Sequence, residues 1–402
     1  MQKYGGTSLA TAEQREKVVA KITEAIGLGY KVVVVVSAIG RRGAPYATDT
    51  LIGLSQEVFP YIHSRELDIM MSCGELISSV ILVQSLKAEG IEAQAFTGGQ
   101  AGIITNSNFG DARIIEVKPE KLMSCVKENK VAVVAGFQGI TKDGEITTLG
   151  RGGSDTTAAA LGVALRAEMV EIYTDVDGVM TADPHVVPQA KPLKVMTYSE
   201  VCEMAHLGAK VIHPRAVEIA MEGRIPLRIR SVFSDQEGTL ICDGVSSLGI
   251  EIKTDKIVTG LAYITDVAQF NLSSNQDLNT SGKALEVFSL LAEAGISLDM
   301  IQVSPQQITF TIQENYYEKA ATILEKTALE FKAAQGFAKV AVVGAGMRGV
   351  PGVMARVVEG LYLANVSLYQ TADSHTNIAC LVKKEDMSRA LKALHDEFGL
   401  GE

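Results

Sequence analysis

Two glycine-rich turns in this chain place charged side chains where anion chemistry needs them. Lys3-Tyr4-Gly5-Gly6-Thr7-Ser8 stands just before a helical stretch. Glycines there let backbone N–H groups approach a phosphate, Thr7 or Ser8 can cap the helix, and Lys3 adds a mobile positive charge. Thr147-Thr148-Leu149-Gly150-Arg151-Gly152-Gly153-Ser154-Asp155 is the second such turn. Arg151 offers a planar fork to a carboxylate or phosphate. Asp155 falls in the first turn of the following helix, where it is also simply a dipole-favoured carboxylate. Ser72-Cys73-Gly74-Glu75 reads as opening a helix near Leu76, with Glu75 either binding an amine or stabilising that helix start. Thr174-Asp175-Val176-Asp177-Gly178 follows a strand, where α/β sheets bind ligands. Lys210 precedes a strand-like Val211-Ile212 and could face the same ligand.

The elements that must position these residues alternate up to about residue 232. Thr11 to Leu28 reads as a helix with Val18, Val19, Ile22 and Ile26 on one stripe. The runs Lys31–Val36, Ala93–Phe96, Val131–Ala135 and Met169–Tyr173 read as strands, and Leu76–Ala88 and Ser154–Leu165 as helices. All-apolar runs suit parallel strands covered on both faces, which implies a three-layer α/β/α sandwich. Residues 233–257 read as a polar linker. Beyond it a unit repeats at constant offset. Gly282 to Leu298 and Gly352 to Leu368 each read as a glycine-started helix feeding a strand, with further strands at Ile308–Ile312 and Ile378–Val382.

Composition narrows the function. The chain has 402 residues, 37 Lys+Arg against 47 Asp+Glu, a formal charge of −10 and no Trp. An acidic protein lacks the basic face that nucleic acids and anionic membranes require. Five scattered cysteines without a CxxC pair read as reduced thiols in a cytosolic protein. No His/Cys cluster suggests a metal site, no apolar run approaches the roughly 18 residues of a membrane span, and MQKYGGTS lacks a signal core. Val342-Val343-Gly344-Ala345-Gly346-Met347-Arg348-Gly349 fits GxGxxG, but Tyr369 and Gln370 stand where a dinucleotide fold needs an acid, and the segment belongs to the repeat.

Seven segments occur in family order: KYGGTS, SCGE, FTGGQAGIIT, VAGFQGIT, TLGRGGSDTTAAAL, IYTDVDGVMTADP and GAKVIHPRAVEIA. Together they closely resemble the aspartate kinases, amino-acid-kinase-fold enzymes that end in paired ACT regulatory repeats. The PYATDTL and ADSH segments look like the diaminopimelate-associated aspartokinases of spore-forming bacteria. The resemblance implies a catalytic domain over 1–232, ferredoxin-like (βαββαβ) ACT repeats over 258–335 and 336–402, and phosphoryl transfer from ATP to the β-carboxylate of L-aspartate. It implies Lys3, Asp155 and Lys210 as catalytic, with Asp155 holding the lysines. It implies Arg151 on the α-carboxylate of aspartate, Glu75 on its ammonium, and Thr48 and Ser37 beside the substrate. Lys3, Gly5, Gly6, Ser8, Thr174, Asp175, Met180, Asp183, His185 and Lys210 would line the ATP site, and Mg²⁺ would arrive with ATP. An amino-acid effector at the ACT interface (diaminopimelate, lysine or threonine), a homodimer or higher oligomer, and a cytoplasmic location follow as expectations.

The chain departs from the family pattern in places. Lys3 is only the third residue, so the first strand is expected to be nearly missing and Lys3 poorly anchored. His185 replaces an Arg of many relatives, Met180 a Tyr of some, and Ser281-Gly282 a Pro-Gly. Another amino-acid-kinase-fold enzyme and a non-catalytic amino-acid-sensing subunit are the competing readings.

Overall fold

Val33–Val36 and Val131–Ala135 are buried at every position, and these runs pair side by side as interior strands of a mainly parallel sheet. The computed structural model describes residues 1–209, 211–243, 256–275, 277–278, 282–327, 329–347 and 349–401. They divide into two units. The first holds residues 1–179, 192–205 and the described part of 210–253; the second holds 180–191, 206–209 and the described part of 254–402.

In the first unit the strands are β1 (Gln2–Tyr4), β2 (Val33–Val36), β3 (Ala93–Phe96), β4 (Ile103–Thr105), β5 (Ile114–Val117), β6 (Val131–Ala135), β7 (Gln138–Ile140), β8 (Ile146–Thr148), β9 (Val170–Thr174), β10 (Val195–Met196), β11 (Leu227–Ser231) and β12 (Thr239–Ile241). The helices are α1 (Ala12–Gly27), α2 (Thr48–Val58), α3 (Ser64–Ala88), α4 (Glu120–Lys127), α5 (Gly153–Ala164), α6 (Tyr198–His206) and α7 (Pro214–Gly223). The main sheet runs β10-β12-β11-β9-β1-β2-β6-β3, parallel except where β12 meets β11. Residues 239–241, expected in a linker, are therefore a strand of this sheet, buried throughout as Thr-Leu-Ile. A smaller sheet, β5-β4-β7-β8, ends at Thr148, where the Arg151 turn begins.

α1 and α3 cover one face, burying Val18, Val19, Ile22, Leu82, Val83 and Leu86 against Tyr4, Val34 and Val36. Thr11 caps α1 reciprocally with Gln14, at 3.2 and 3.0 Å. Ile26, expected on the buried stripe, is 37% exposed because it lies in the last turn. The Ala-rich α5 comes close to the sheet, with Gly162 against Val170. α3 is 25 residues long and holds an 18-residue stretch of mean hydropathy 1.6, so one described helix does have the length and composition of a span. It is a core helix here, with Asp68 and Glu75 buried on it.

The second unit is antiparallel. Its strands are β13 (Gly260–Ser273), β14 (Asp299–Ser304), β15 (Gln307–Gln313), β16 (Glu330–Val343), β17 (Gln370–Asp373) and β18 (Asn377–Lys383), in the order β14-β15-β13-β16-β18-β17. Its helices are α8 (Lys283–Glu293), α9 (Tyr317–Leu324), α10 (Val353–Leu363) and α11 (Met387–Glu397). Gly282 and Gly352 cap α8 and α10 in the same left-handed conformation, φ 74° and 91°, which only glycine adopts without strain. The long β13 and β16 each serve two cores. Phe270, Phe310 and Val287 pack in one, and Val340, Val357 and Leu394 in the other. Val258 and Leu261 belong to the second of these cores, although they fall at the start of the span expected for the first repeat. Gly344 and Gly346 of the GxGxxG segment pack against the backbone of Lys256 and Ile257, which accounts for them without a nucleotide; Arg348 and Ser281 lie outside the described residues.

Candidate active site

The strand expected to be nearly missing is present. β1 pairs parallel with β2 and β9, Lys3 facing Val35 on one side and Ile172 on the other. Three residues suffice because both neighbours supply ladder bonds and Tyr4, fully buried, stacks on Tyr173 at 4.7 Å. The pleat sends Tyr4 towards α1 and Lys3 to the opposite face. There the Lys3 ammonium meets the Asp155 carboxylate at 2.7 Å, with about an eighth of each side chain exposed. Lys3 is thus anchored, correcting the expectation from its place in the chain.

The turn after β1 is shaped by the 38–40 segment. A Cβ on Gly6 would lie 2.2 Å from the Ala38 carbonyl, so that position admits only glycine; Gly5 is open apart from the Lys3 ammonium at 3.9 Å. Gly40 N–H donates to Gly6 O at 3.0 Å and Ser37 N–H to Tyr4 O at 3.1 Å. Ser8 Oγ is buried without a hydrogen-bond partner.

Ala38 also meets Glu75. Its N–H donates to Glu75 Oε1 at 3.1 Å, while Oε2 is buried with no partner. Burial pushes the Glu75 carboxyl up to about 8, against the opposing pull of the Ala38 N–H. The SCGE segment does not open a helix, as expected, but lies in the middle of α3. A helix-start role for Glu75 therefore falls away, and what remains is a buried carboxyl with one oxygen unsatisfied.

The second glycine turn leads from β8 into α5. Arg151 is exposed at its tip. Gly152 has φ 65°, and a Cβ there would lie 2.2 Å from His213. Two charged residues that the sequence reading did not single out bind this turn's backbone: Asp68 of α3 accepts from Thr148, and Arg215 of α7 donates to Leu149 O. Arg215 lies within the HPRAVEIA segment, so a signal was there; Asp68 had none beyond standing seven residues before Glu75.

Thr174 ends β9, and its hydroxyl donates to Asp175 at 3.1 Å. Asp175 pairs with Arg41 at 2.7 Å, a partner the sequence reading missed. Thr48 is the first residue of α2, half-buried. Met180, Asp183 and His185 fall in the second unit. There Asp183 accepts from the Tyr263 hydroxyl at 3.0 Å and from the His185 N–H at 2.9 Å, while Ala182 and Val187 join the Val340–Val357 core. Lys210 lies outside the described residues, and Val211-Ile212 forms a turn, not the expected strand.

An amino-acid-kinase family model matches residues 2–231, and ACT-domain models match 271–327 and 332–396. Over the full chain and 98% of its counterpart, the sequence is 48% identical to Aspartokinase 1 of Bacillus subtilis (strain 168). The chain belongs to the aspartokinase family. Among solved structures, E. coli aspartokinase III in complex with aspartate and ADP (R-state) superposes with a TM-score of 0.79 at 27% identity, covering 98% of each chain. The same E. coli protein in complex with lysine and aspartate (T-state) gives 0.76 at 27% identity, covering 99% of this chain and 98% of the other. As an aspartokinase, the chain is a kinase whose first unit carries the amino-acid-kinase fold and whose second carries the ACT domains.

Proposed function

We propose that the first unit transfers the γ-phosphoryl group of Mg-ATP to the β-carboxylate of L-aspartate, giving 4-phospho-L-aspartate. The observation that carries this reading is the buried Glu75 carboxyl, with one oxygen unsatisfied, held by Ala38 N–H of the segment that packs on the Lys3 turn at Gly6. An unpaired buried carboxyl is costly, and an ammonium group satisfies it. Glu75 takes the substrate ammonium and Arg151 its α-carboxylate, with Ser37 and Thr48 alongside. The β-carboxylate is thereby turned towards Lys3.

Lys3 neutralises charge on the transferring phosphoryl group, and Asp155 holds it in one orientation at 2.7 Å. The reaction needs no covalent intermediate, since positioning and charge neutralisation carry phosphoryl transfer. Gly5, Gly6 and Ser8 contribute donors to the phosphates, Thr174 and Asp175 line the nucleotide side, and Lys210 is a second phosphate lysine. Among the described residues no three His, Cys, Asp or Glu side chains gather as a metal site. Mg²⁺ belongs to the substrate Mg-ATP, held mainly by its phosphates.

The ACT domains bind an amino-acid effector at their interface, diaminopimelate first, then lysine or threonine. The chain works in the cytoplasm as a homodimer or higher oligomer. The lysine complex of the E. coli relative supports an effector of this class. Aspartate-dependent ADP release by the purified full chain tests the activity, with glutamate and acetylglutamate as competing acceptors. ADP release with either competitor but not with aspartate assigns another acceptor. No turnover with any acceptor by folded protein favours the sensing-subunit reading.

A further inference from the structure

The turn that carries Arg151 is gripped from two sides by charged side chains that the reaction itself does not use. Asp68 of α3 is fully buried. Its Oδ2 accepts the Thr148 N–H at 2.8 Å and the Gly110 N–H at 3.0 Å, and its Oδ1 accepts the Thr148 hydroxyl at 2.7 Å. Arg215, in the first turn of α7, donates to Leu149 O at 3.0 Å and to Ala112 O at 2.9 Å. Ala112 N–H closes the arrangement on Thr148 O at 2.9 Å. Two segments, 110–112 and 148–149, are thus stitched together by a carboxylate taking their N–H groups and a guanidinium taking their C=O groups.

Burying a carboxylate is unfavourable unless every lone pair is engaged, and a reverse turn needs no such group to form. Charge-assisted bonds are short and directional, so what they add here is rigidity. Asp68 and Glu75 also share one helix, seven residues apart, which places them two turns apart on the same face. A single rigid element therefore fixes Glu75 directly and, through Thr148, the base of the turn that presents Arg151.

We propose that Asp68 and Arg215 are positioning residues that set the spacing between the two groups holding the amino-acid substrate. The proposal rests on the assignment of Glu75 and Arg151 to L-aspartate. A loosened turn lets Arg151 wander, and misplacement by about 1 Å costs up to ~100-fold in rate. The effect falls on the amino-acid side, because neither residue touches the Lys3 turn in any contact described.

The experiment is steady-state kinetics on the full chain with Asp68→Asn, Thr148→Val, Arg215→Lys and Arg151→Lys, alongside thermal unfolding. Expected for Asp68→Asn and Arg215→Lys is a rise in KM for aspartate of about tenfold or more, a fall in kcat, and a KM for Mg-ATP within about twofold. Thr148→Val keeps its N–H and loses one bond, so it shifts the same constant by less. A lowered unfolding midpoint with both KM values unchanged overturns the proposal, as does a parallel rise in both. Should Asp68→Asn not fold, Thr148→Val and Arg215→Lys carry the same test. If Arg151→Lys leaves the aspartate KM unchanged, the substrate assignment fails, and the brace with it; if only the brace variants are silent, the assignment stands.

Discussion

Two regions treat polar groups differently: the Glu75 and Lys3 site of the first unit, and the strands around β13 and β16 of the second. In the first, at the ends of parallel strands, Glu75 Oε2 and Ser8 Oγ are buried without partners, and Lys3 leans on Asp155 in a partly open position. In the second, polar groups of neighbouring strands pair with one another, while His395 Nδ1 elsewhere in that unit is buried without a partner. Lys339 pairs with Asp299, Gln269 donates to Gln370 at 2.8 Å, and Gln370 donates to Met300 O. The repeat offset relates these contacts, since Gln269 and Lys339 occupy equivalent places on β13 and β16. An unsatisfied buried atom beside charged groups offers a partner to a ligand, whereas a mutually satisfied set holds strands together.

The sharpest way to break this contrast is Lys3→Ala or Asp155→Ala. Either lowers aspartate-dependent ADP release by ~10²–10³-fold with far-UV circular dichroism unchanged, because a preorganised charge is lost where negative charge develops. Next is Gly6→Ala. Its Cβ would drive into the Ala38 carbonyl and displace the turn that Glu75 also touches, so affinity falls for both substrates in titration calorimetry. The corresponding change in the second unit, Gly352→Ala, meets no atom and costs only the left-handed strain, about 1–2 kcal/mol in denaturant unfolding.

Glu75 gives a pH-dependent test. Its carboxyl, at about 8 in the folded chain, is protonated at neutral pH, and an arriving ammonium ionises it. Aspartate binding at pH 7 therefore releases close to one proton, read by calorimetry in buffers of different ionisation enthalpy, and Glu75→Gln abolishes the release. Unfolded glutamate gives up its proton near 4.5, so the folded chain holds the extra proton between about 4.5 and 8. This group's contribution to stability is full below that window and lost as pH rises through it. Glu75→Gln consequently raises the unfolding midpoint at pH 9 relative to the parent and not at pH 4.5. The smallest effect is expected from Lys339→Met, which removes an ion pair whose carboxylate is about half exposed. About 1 kcal/mol or less of stability goes, with basal ADP release unchanged.

Much of this was legible in the residues. Valine runs without polar interruption announced strands buried on both faces, and the 70-residue repeat announced the second unit, because hydrophobic period and glycine position are local properties. The repeat's left-handed glycines fell where an L side chain would be strained. Less legible were the short elements. β1 has three residues and draws its place from β2 and β9, and β12 hides in a polar stretch. Val211-Ile212 had strand-like residues but no strand to pair with.

Residue type and order by themselves determined the layered α/β class, the duplication, and the identity of Lys3, Arg151 and Asp155 as charged groups beside glycine turns. Tertiary structure alone decided that Glu75 is a mid-helix carboxyl with one oxygen lacking a partner, and that Asp68 and Arg215 grip a turn 80 and 66 residues away. It also decided that the segment carrying Asp183 and His185 packs its Ala182 and Val187 into an ACT core. The reason is the same in each case. A pKa, an unsatisfied oxygen or a choice of core depends on what surrounds a side chain, and those surroundings come from parts of the chain that only folding brings together.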